Sequence, residues 1–155
     1  VTTFELIEHL EDPENALQSI SEITEKNGFN YHTTPNFDSL DRRVLKEEWS
    51  TIVPSHLNYF NLNSIKKILK NINGLDLINY SSQDISIFEL VNHFFKAKDS
   101  ENKIIENTSN HHLSDKNLRN KIEVSHFLKL TKKLINFFVN FLNLGRTSTL
   151  ILKKN

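Results

Sequence analysis

Near its start the chain reads Phe4-Glu5-Leu6-Ile7-Glu8-His9-Leu10-Glu11-Asp12-Pro13. Glu5, Glu8 and His9 stand at i, i+3 and i+4, one face of a single turn if the backbone is helical there. Two carboxylates and an imidazole form a ligand set for a hard-to-borderline divalent cation such as Mg²⁺ or Mn²⁺. The same spacing suits a solvated acidic helix start, where carboxylates meet the positive end of the dipole, and spacing alone favours that plainer reading. Without a metal, His9 or the later His56 has the pKa range of a general base. Equally, His56 is a loop histidine making one structural hydrogen bond.

Other candidates carry less. Arg42-Arg43 is a pair that could hold an anionic substrate group, although paired surface arginines are mostly just solvated. Trp49 could stack on a ring or sugar, or simply anchor a loop or the core. His111-His112 has no carboxylate cluster beside it and makes a weak metal site.

The acidic run needs a scaffold. Val1-Thr2-Thr3-Phe4 reads as the tail of a β-strand, so Glu5, Glu8 and His9 lie just past a carboxyl end, the edge where open α/β sheets bind ligands. Asp12 is an N-cap with Pro13 at the first helical position, and Ala16, Leu17, Ile20 and Ile23 follow at helical spacing. Gly28 closes that helix. Phe29 to Thr34 alternates, with Phe29, Tyr31 and Thr33 on one side, and Pro35-Asn36 ends the strand. The stretch from Phe37 to Phe60 is long, mixed and aromatic, and loops of that length are usually functional. Asn63 or Ser64 caps a second helix closed by Gly74; Leu75 to Tyr80 reads as a strand; Asp84 opens a third helix. Residues 99–120 are polar enough to be a mobile or exposed segment. A helix from about Ile122 to Leu144 ends at Gly145, and Thr147 to Leu152 is the last strand. Lys129, Lys132 and Lys133 beside four phenylalanines could make that helix a surface-binding amphipath. A lid packed over the sheet and substrate pocket is preferred, because a soluble monomer seldom exposes so much apolar area. Strands alternating with helices argue for an α/β sheet with covering helices.

Composition narrows the function classes. The 155 residues suffice for one cored domain. With 19 basic and 19 acidic residues, the chain gives no electrostatic argument for nucleic acid or an anionic membrane. It has no cysteine, hence no disulfide framework or thiolate metal site. The longest apolar region, Leu134 to Leu144, is too short to span a bilayer and is broken by three asparagines. No signal peptide is recognisable, and a cytoplasmic location is expected. The chain starts at Val1 and contains no methionine, which suggests part of a longer protein. All three glycines sit at element ends, so no glycine-rich phosphate loop is present.

The opening run resembles the E-x-x-E-H-L-x-D-P segment after the fourth strand of class I S-adenosylmethionine-dependent methyltransferases. Asn27-Gly28 before Thr33-Thr34-Pro35-Asn36 is similar to that family's glycine-pair and T-P-N element. Pro54-Ser55-His56-Leu57-Asn58-Tyr59-Phe60 resembles its P-x-H-L-x-x-F loop, with Trp49 upstream. The likeness covers residues 1 to about 80. Asn27 replaces one glycine, and Asn30 and His32 stand where apolar strand residues are usual. The resemblance implies an incomplete Rossmann-like sheet holding the last four strands, the final one antiparallel. It implies that residues 1–155 are the C-terminal part of the domain, without the half that grips the cofactor, and that this part alone is hardly active. Of the cofactor-binding positions only Phe4 would remain. Quinone-biosynthesis O-methyltransferases and small-RNA 2′-O-methyltransferases share the E-x-x-E-H element and bind a metal with it, which would make Glu5, Glu8, His9 and His56 ligands. A metal there would hold the acceptor hydroxyl, lower its pKa and aim it at the methyl carbon. The expected activity is methyl transfer from S-adenosylmethionine to an oxygen of a small-molecule acceptor, with nucleic acid disfavoured by the neutral charge. The alternative is a non-catalytic half-domain serving as a structural or interaction module.

Overall fold

A computed structural model describes residues 1–102 and 126–155. In chain order the elements are β1 (Thr2–Phe4), a 3₁₀ turn at Ile7–His9, α1 (Pro13–Ile23), β2 (Phe29–Pro35), α2 (Leu40–Leu45), a second 3₁₀ turn at Lys46–Glu48, α3 (Leu62–Leu69), β3 (Leu75–Gln83), α4 (Ile87–Asn102), α5 (His126–Phe141) and β4 (Thr147–Lys154). The four strands form one sheet in the order β1-β2-β4-β3. β1 and β2 run parallel, while β4 is antiparallel to both of its neighbours. The expected α/β sheet with an antiparallel final strand is what the chain forms, and that final strand lies inside the sheet, not at its edge.

Local chemistry explains most element ends. The Asp12 carboxylate accepts from Asn15 N at 2.9 Å, and Pro13 follows where no N–H is needed. α3 starts earlier than expected: Asn61, not Asn63 or Ser64, is its cap. Ser64 instead supplies the reciprocal half of a capping box, each side chain bonding the other's backbone N–H at 2.9 Å. Asp84 does not open α4; its φ of +67° makes it a turn residue, and the Ser86 hydroxyl accepts from Glu89 N at 3.4 Å. The Phe37–Phe60 stretch is not all loop, since it contains α2 and the second 3₁₀ turn.

The apolar core joins Ile7, Leu17 and Phe60 to Ile65, Leu69 and Ile72 and to Leu75, Leu150 and Leu152 of the sheet. β2 departs from that pattern. Its deeply buried residues are the polar ones, Asn30, His32 and Thr34, whereas Phe29 is exposed. Each of the three has a partner on a different element. Thr24 donates to Asn30 Oδ1 at 2.8 Å, His32 Nδ1 meets Thr3 Oγ1 at 2.7 Å, and Thr34 donates to Glu8 Oε2 at 2.9 Å. These contacts satisfy one polar atom of each side chain, while Asn30 Nδ2 and His32 Nε2 find no partner among the described residues.

Gly145 is required by close approach, because a Cβ there would lie 2.4 Å from Gln83 N. Asn36 fixes the same corner, donating through Nδ2 to Asn143 O at 3.0 Å and Gly145 O at 2.8 Å.

The expectation of a lid is not met by α5. Among its described side chains only Val139 is buried, while Phe137, Phe138 and Phe141 are exposed. Leu134, Phe137, Phe138 and Phe141 stand at i, i+3, i+4 and i+7, so the helix's apolar face is the exposed one, and Val139 on the other side is what packs inward. Of the 99–120 segment, residues 99–102 form the end of α4; the remainder, including His111-His112, and positions 122–125 of the final helix lie outside the described residues. No described helix is long and apolar enough to cross a membrane.

Candidate functional site

The site is assembled by the segment leaving β1. At Glu5 the backbone turns into the left-handed region, with φ +47°. That turn is held by Glu5 N, which donates to Thr33 O at 3.1 Å and to Thr33 Oγ1 at 3.2 Å. The helical face inferred from the i, i+3, i+4 spacing does not form, since only Ile7–His9 are helical, as a 3₁₀ turn. The turn at Glu5 nevertheless leaves its carboxyl interacting with Glu8. Burial, and then the charge of Glu8, push the Glu5 pKa above the ordinary carboxylate value.

Glu8 is buried beside Ile7. One of its oxygens, Oε2, accepts from Thr34, and the other, Oε1, has no partner. The turn is bolted to the loop carrying His56: Leu57 N and Asn58 N both donate to Glu8 O, at 2.8 and 3.0 Å, and Asn58 Nδ2 donates to Leu10 O at 2.6 Å. His9 Nδ1 lies 2.8 Å from Ser55 O. A carbonyl can only accept, so Nδ1 carries the proton and a neutral His9 keeps its lone pair on Nε2. The His9 and His56 rings meet edge to face, centroids 4.6 Å apart, and His56 Nδ1 is buried without a partner. One ligand-capable atom from each of Glu8, His9 and His56 falls within 4.8 Å of the others. Glu5 is adjacent to this trio and not part of it. Phe4 is 66% exposed, its ring tilted against Tyr31 at 5.8 Å.

A chain of rings leads away from His56. Tyr59 stands 6.1 Å from His56, 6.3 Å from Trp49 and 5.9 Å from Phe37. The Arg42 guanidinium sits 4.9 Å from the centroid of Phe37. Trp49 is 1% exposed, and among the described residues neither its Nε1 nor the buried Nε of Arg42 has an acceptor. Arg43, its neighbour, is exposed.

Arg146 is a functional candidate that sequence reasoning misses. Its guanidinium holds Glu89 at 2.7 Å and Thr51 at 3.3 Å, bonds Ser50, and reaches the buried Asp41 at 3.7 Å. It therefore ties the loop before His56 to α2 and α4. Burial alone would raise Glu89, but the Arg146 and Ser50 bonds outweigh it and lower its pKa, whereas burial raises that of Asp41. A lone arginine opening a strand carries no pattern, since its partners are all distant in sequence.

The parallel β1–β2 pair, the inserted antiparallel β4 and a polar site at the carboxyl end of β1 define a Rossmann-like methyltransferase fold. A sequence profile described as a methyltransferase domain matches residues 1–79, half of the chain, and the chain belongs to that family. An S-adenosylmethionine-dependent methyltransferase from Archaeoglobus fulgidus shares the fold at a TM-score of 0.50 and 18% identity, over 99% of this chain and 58% of its own. A coclaurine N-methyltransferase, crystallised with N-methylheliamine and S-adenosylhomocysteine, aligns at a TM-score of 0.45 and 16% identity, over 99% of this chain and 47% of its own. The chain thus spans about half the length of these structures. None of the curated proteins matches it.

Proposed function

We propose that the chain forms the acceptor side of an S-adenosylmethionine-dependent methyltransferase that moves the methyl group onto an oxygen of a small-molecule acceptor. The observation that carries this reading is the convergence of Glu8, His9 and His56 at the carboxyl end of β1, within a methyltransferase domain. Three roles are needed there: bind a hydroxyl, take its proton, and hold the oxygen in line with the sulfonium methyl. His9, oriented through Nδ1 by the Ser55 carbonyl, offers Nε2 as the proton acceptor. As the O–H proton leaves, the oxygen forms the new bond to the methyl carbon, and the carbon–sulfur bond breaks toward S-adenosylhomocysteine.

The donor set also suits a divalent cation. Glu8 presents an oxygen without a partner, and two imidazoles face it across a few ångströms. Glu8, His9 and His56 would hold Mg²⁺ or Mn²⁺, with two nitrogens favouring Mn²⁺, and Glu5 beside them would add negative charge. When bound, such an ion lowers the pKa of a coordinated hydroxyl. Thr34 contributes by fixing the Glu8 carboxylate from beneath.

The three glycines form no phosphate-cradling turn, so in this reading the contacts to the cofactor's ribose and carboxypropyl group come from outside these residues, with Phe4 lining its edge. A small acceptor is preferred over RNA because the chain's charge is balanced. A cytoplasmic location goes with the same reading. The rival view, a non-catalytic half-domain, draws on β1, which among the described residues occupies a sheet edge and pairs only with β2.

The test is a titration with Mn²⁺, followed by electron paramagnetic resonance, in the chain and in Glu8→Gln and His9→Ala, with S-adenosylhomocysteine titrated into the chain and into a longer product carrying upstream residues. Mn²⁺ affinity should fall at least tenfold in each variant, on the order of the losses seen when metal sites are disturbed. Equal affinity in all three would refute the metal and leave His9 as base. Absence of cofactor binding even by the longer product would refute methyl transfer.

A further inference from the structure

We propose that Asn58 is a positioning residue for this site, a clamp that grips the backbone on either side of His9 and so sets Glu8 and His9 against His56. The inference rests on the acceptor-side reading above and adds to it what holds the trio together. The three side chains come from two segments far apart in sequence. Glu8 and His9 belong to the first 3₁₀ turn, and His56 lies beyond α1, β2, α2 and the second 3₁₀ turn. Neither segment is stiff by itself. A 3₁₀ turn of three residues has weak hydrogen-bond geometry, and no residue from Trp49 to Tyr59 is in a helix or strand.

The turn also stops abruptly. Leu10 leaves it extended, at φ −86° and ψ 139°, and a helix that ends leaves its last carbonyls in need of partners. Asn58 supplies them on both sides of His9. Its backbone N donates to Glu8 O at 3.0 Å, and its side-chain Nδ2 donates to Leu10 O at 2.6 Å. Leu57 N adds a second bond to Glu8 O at 2.8 Å. In return, His9 Nδ1 donates to Ser55 O at 2.8 Å. Donors thus run in both directions between turn and loop, and His56 sits inside the ring that they close.

The backbone bonds can be made by any residue except proline, since the donors are main-chain N–H groups. Only the Leu10 contact depends on a side chain. A carbonyl partner demands a donor there, which an amide has and a carboxylate lacks. Two anchors flanking His9 fix the direction in which its ring leaves the backbone, whereas one anchor lets the turn swivel. Such misdirection is costly to metal ligands and to proton acceptors alike.

The position of the proton on His9 reports the clamp without metal, cofactor or acceptor. Ser55 O holds it on Nδ1, while a ring released to water carries it mainly on Nε2. The full chain is labelled with ¹⁵N and its histidine tautomers are read from long-range ¹H–¹⁵N spectra with the rings neutral, His9→Gln identifying the His9 signals. Asn58→Asp has the same shape without the donor. It should move the His9 proton from Nδ1 to Nε2 and lower Mn²⁺ affinity about tenfold. Asn58→Ala should do the same, and takes its place where the added charge prevents folding. Asn58→Gln keeps a donor and should retain part of the Nδ1–H form. Asn36→Ala weakens a different corner and should leave the tautomer unchanged. The proposal is overturned if the parent lacks the Nδ1–H form or if Asn58→Asp and Asn58→Ala keep it. An equal shift in Asn36→Ala also overturns it, because lost stability would then explain the change. A parent chain that binds no Mn²⁺ removes the ion from the acceptor-side reading and leaves the tautomer to decide this one. Absence of cofactor binding by the longer product condemns methyl transfer and does not touch the tautomer result.

Discussion

Acid should loosen the β1–β2 pair through His32. The ring is fully buried, its Nδ1 bonded to Thr3 of the neighbouring strand and its Nε2 without a partner. Burial, helped by the N-terminal ammonium, lowers its pKa from 6.5 to about 4. The folded protein therefore prefers the neutral ring. The stability this provides is complete above the unfolded pKa of 6.5 and is lost as the pH falls toward 4. At about 1.4 kcal/mol per unit, the loss from this one group is about 2 kcal/mol at pH 5 and about 3 kcal/mol at pH 4. Other carboxyl groups titrate in the same range, so the assay compares two chains. Urea unfolding of the parent and of His32→Leu is followed by tryptophan emission at pH 7, 6, 5 and 4. Leucine has a similar volume and no charge to bury. At pH 7 the variant should lie within about 1 kcal/mol of the parent, the worth of the Thr3 bond. By pH 4 the parent should have lost about 3 kcal/mol more than the variant. Parallel pH profiles would refute the reasoning.

Asn36→Ala should cost about 2–4 kcal/mol in urea unfolding, since two buried carbonyls, Asn143 O and Gly145 O, lose their donor together. Gly145→Ala should be worse and give little folded protein by circular dichroism, because the clash is with backbone that cannot turn aside. Arg146→Gln should destabilise by about 1–3 kcal/mol, leaving the buried Asp41 without a counter-charge, and titration of the Asp41 carboxyl by NMR should move further upward. A variant Asp41 that titrates like a solvated carboxylate would contradict that placement.

The parts of this molecule that the sequence foretold are those written in neighbouring residues. Asp12-Pro13 and the start of the last strand at Thr147 need only a few adjacent positions, and they lie where expected, whereas α1 ends at Ile23 and Asn27, not Gly28, takes the left-handed turn. Glu8, His9 and His56 stand out together through the resemblance to a family pattern that joins them; spacing alone favours a solvated helix start. What was not legible depends on long-range pairs. Asn30 and His32 looked misplaced in a strand because Thr24 and Thr3, which satisfy them, belong to other elements. Asn61 was passed over as a cap because Asn63 and Ser64 compete with it for the same turn. The left-handed turn at Glu5 has no glycine or asparagine to announce it. Arg146 gains its meaning only when α2, α4 and the loop before His56 meet around it.

β4 pairs with β2 along one side and with β3 along the other, and among the described residues β3 has no other strand partner. The middle of the sheet is thus written in Thr147–Lys154, which follow the other described elements in chain order. While Thr147 to Lys154 remain within the ribosome, β3 has nothing to hold and β2 has one open side. Closing this arrangement requires Gln83 to find Thr147 across the whole intervening segment, a non-local step of the kind that slows folding. Loss of Thr147–Lys154 would therefore do more than trim an end. It would divide the sheet into a two-strand remnant beneath the site and a solitary strand with both edges bare.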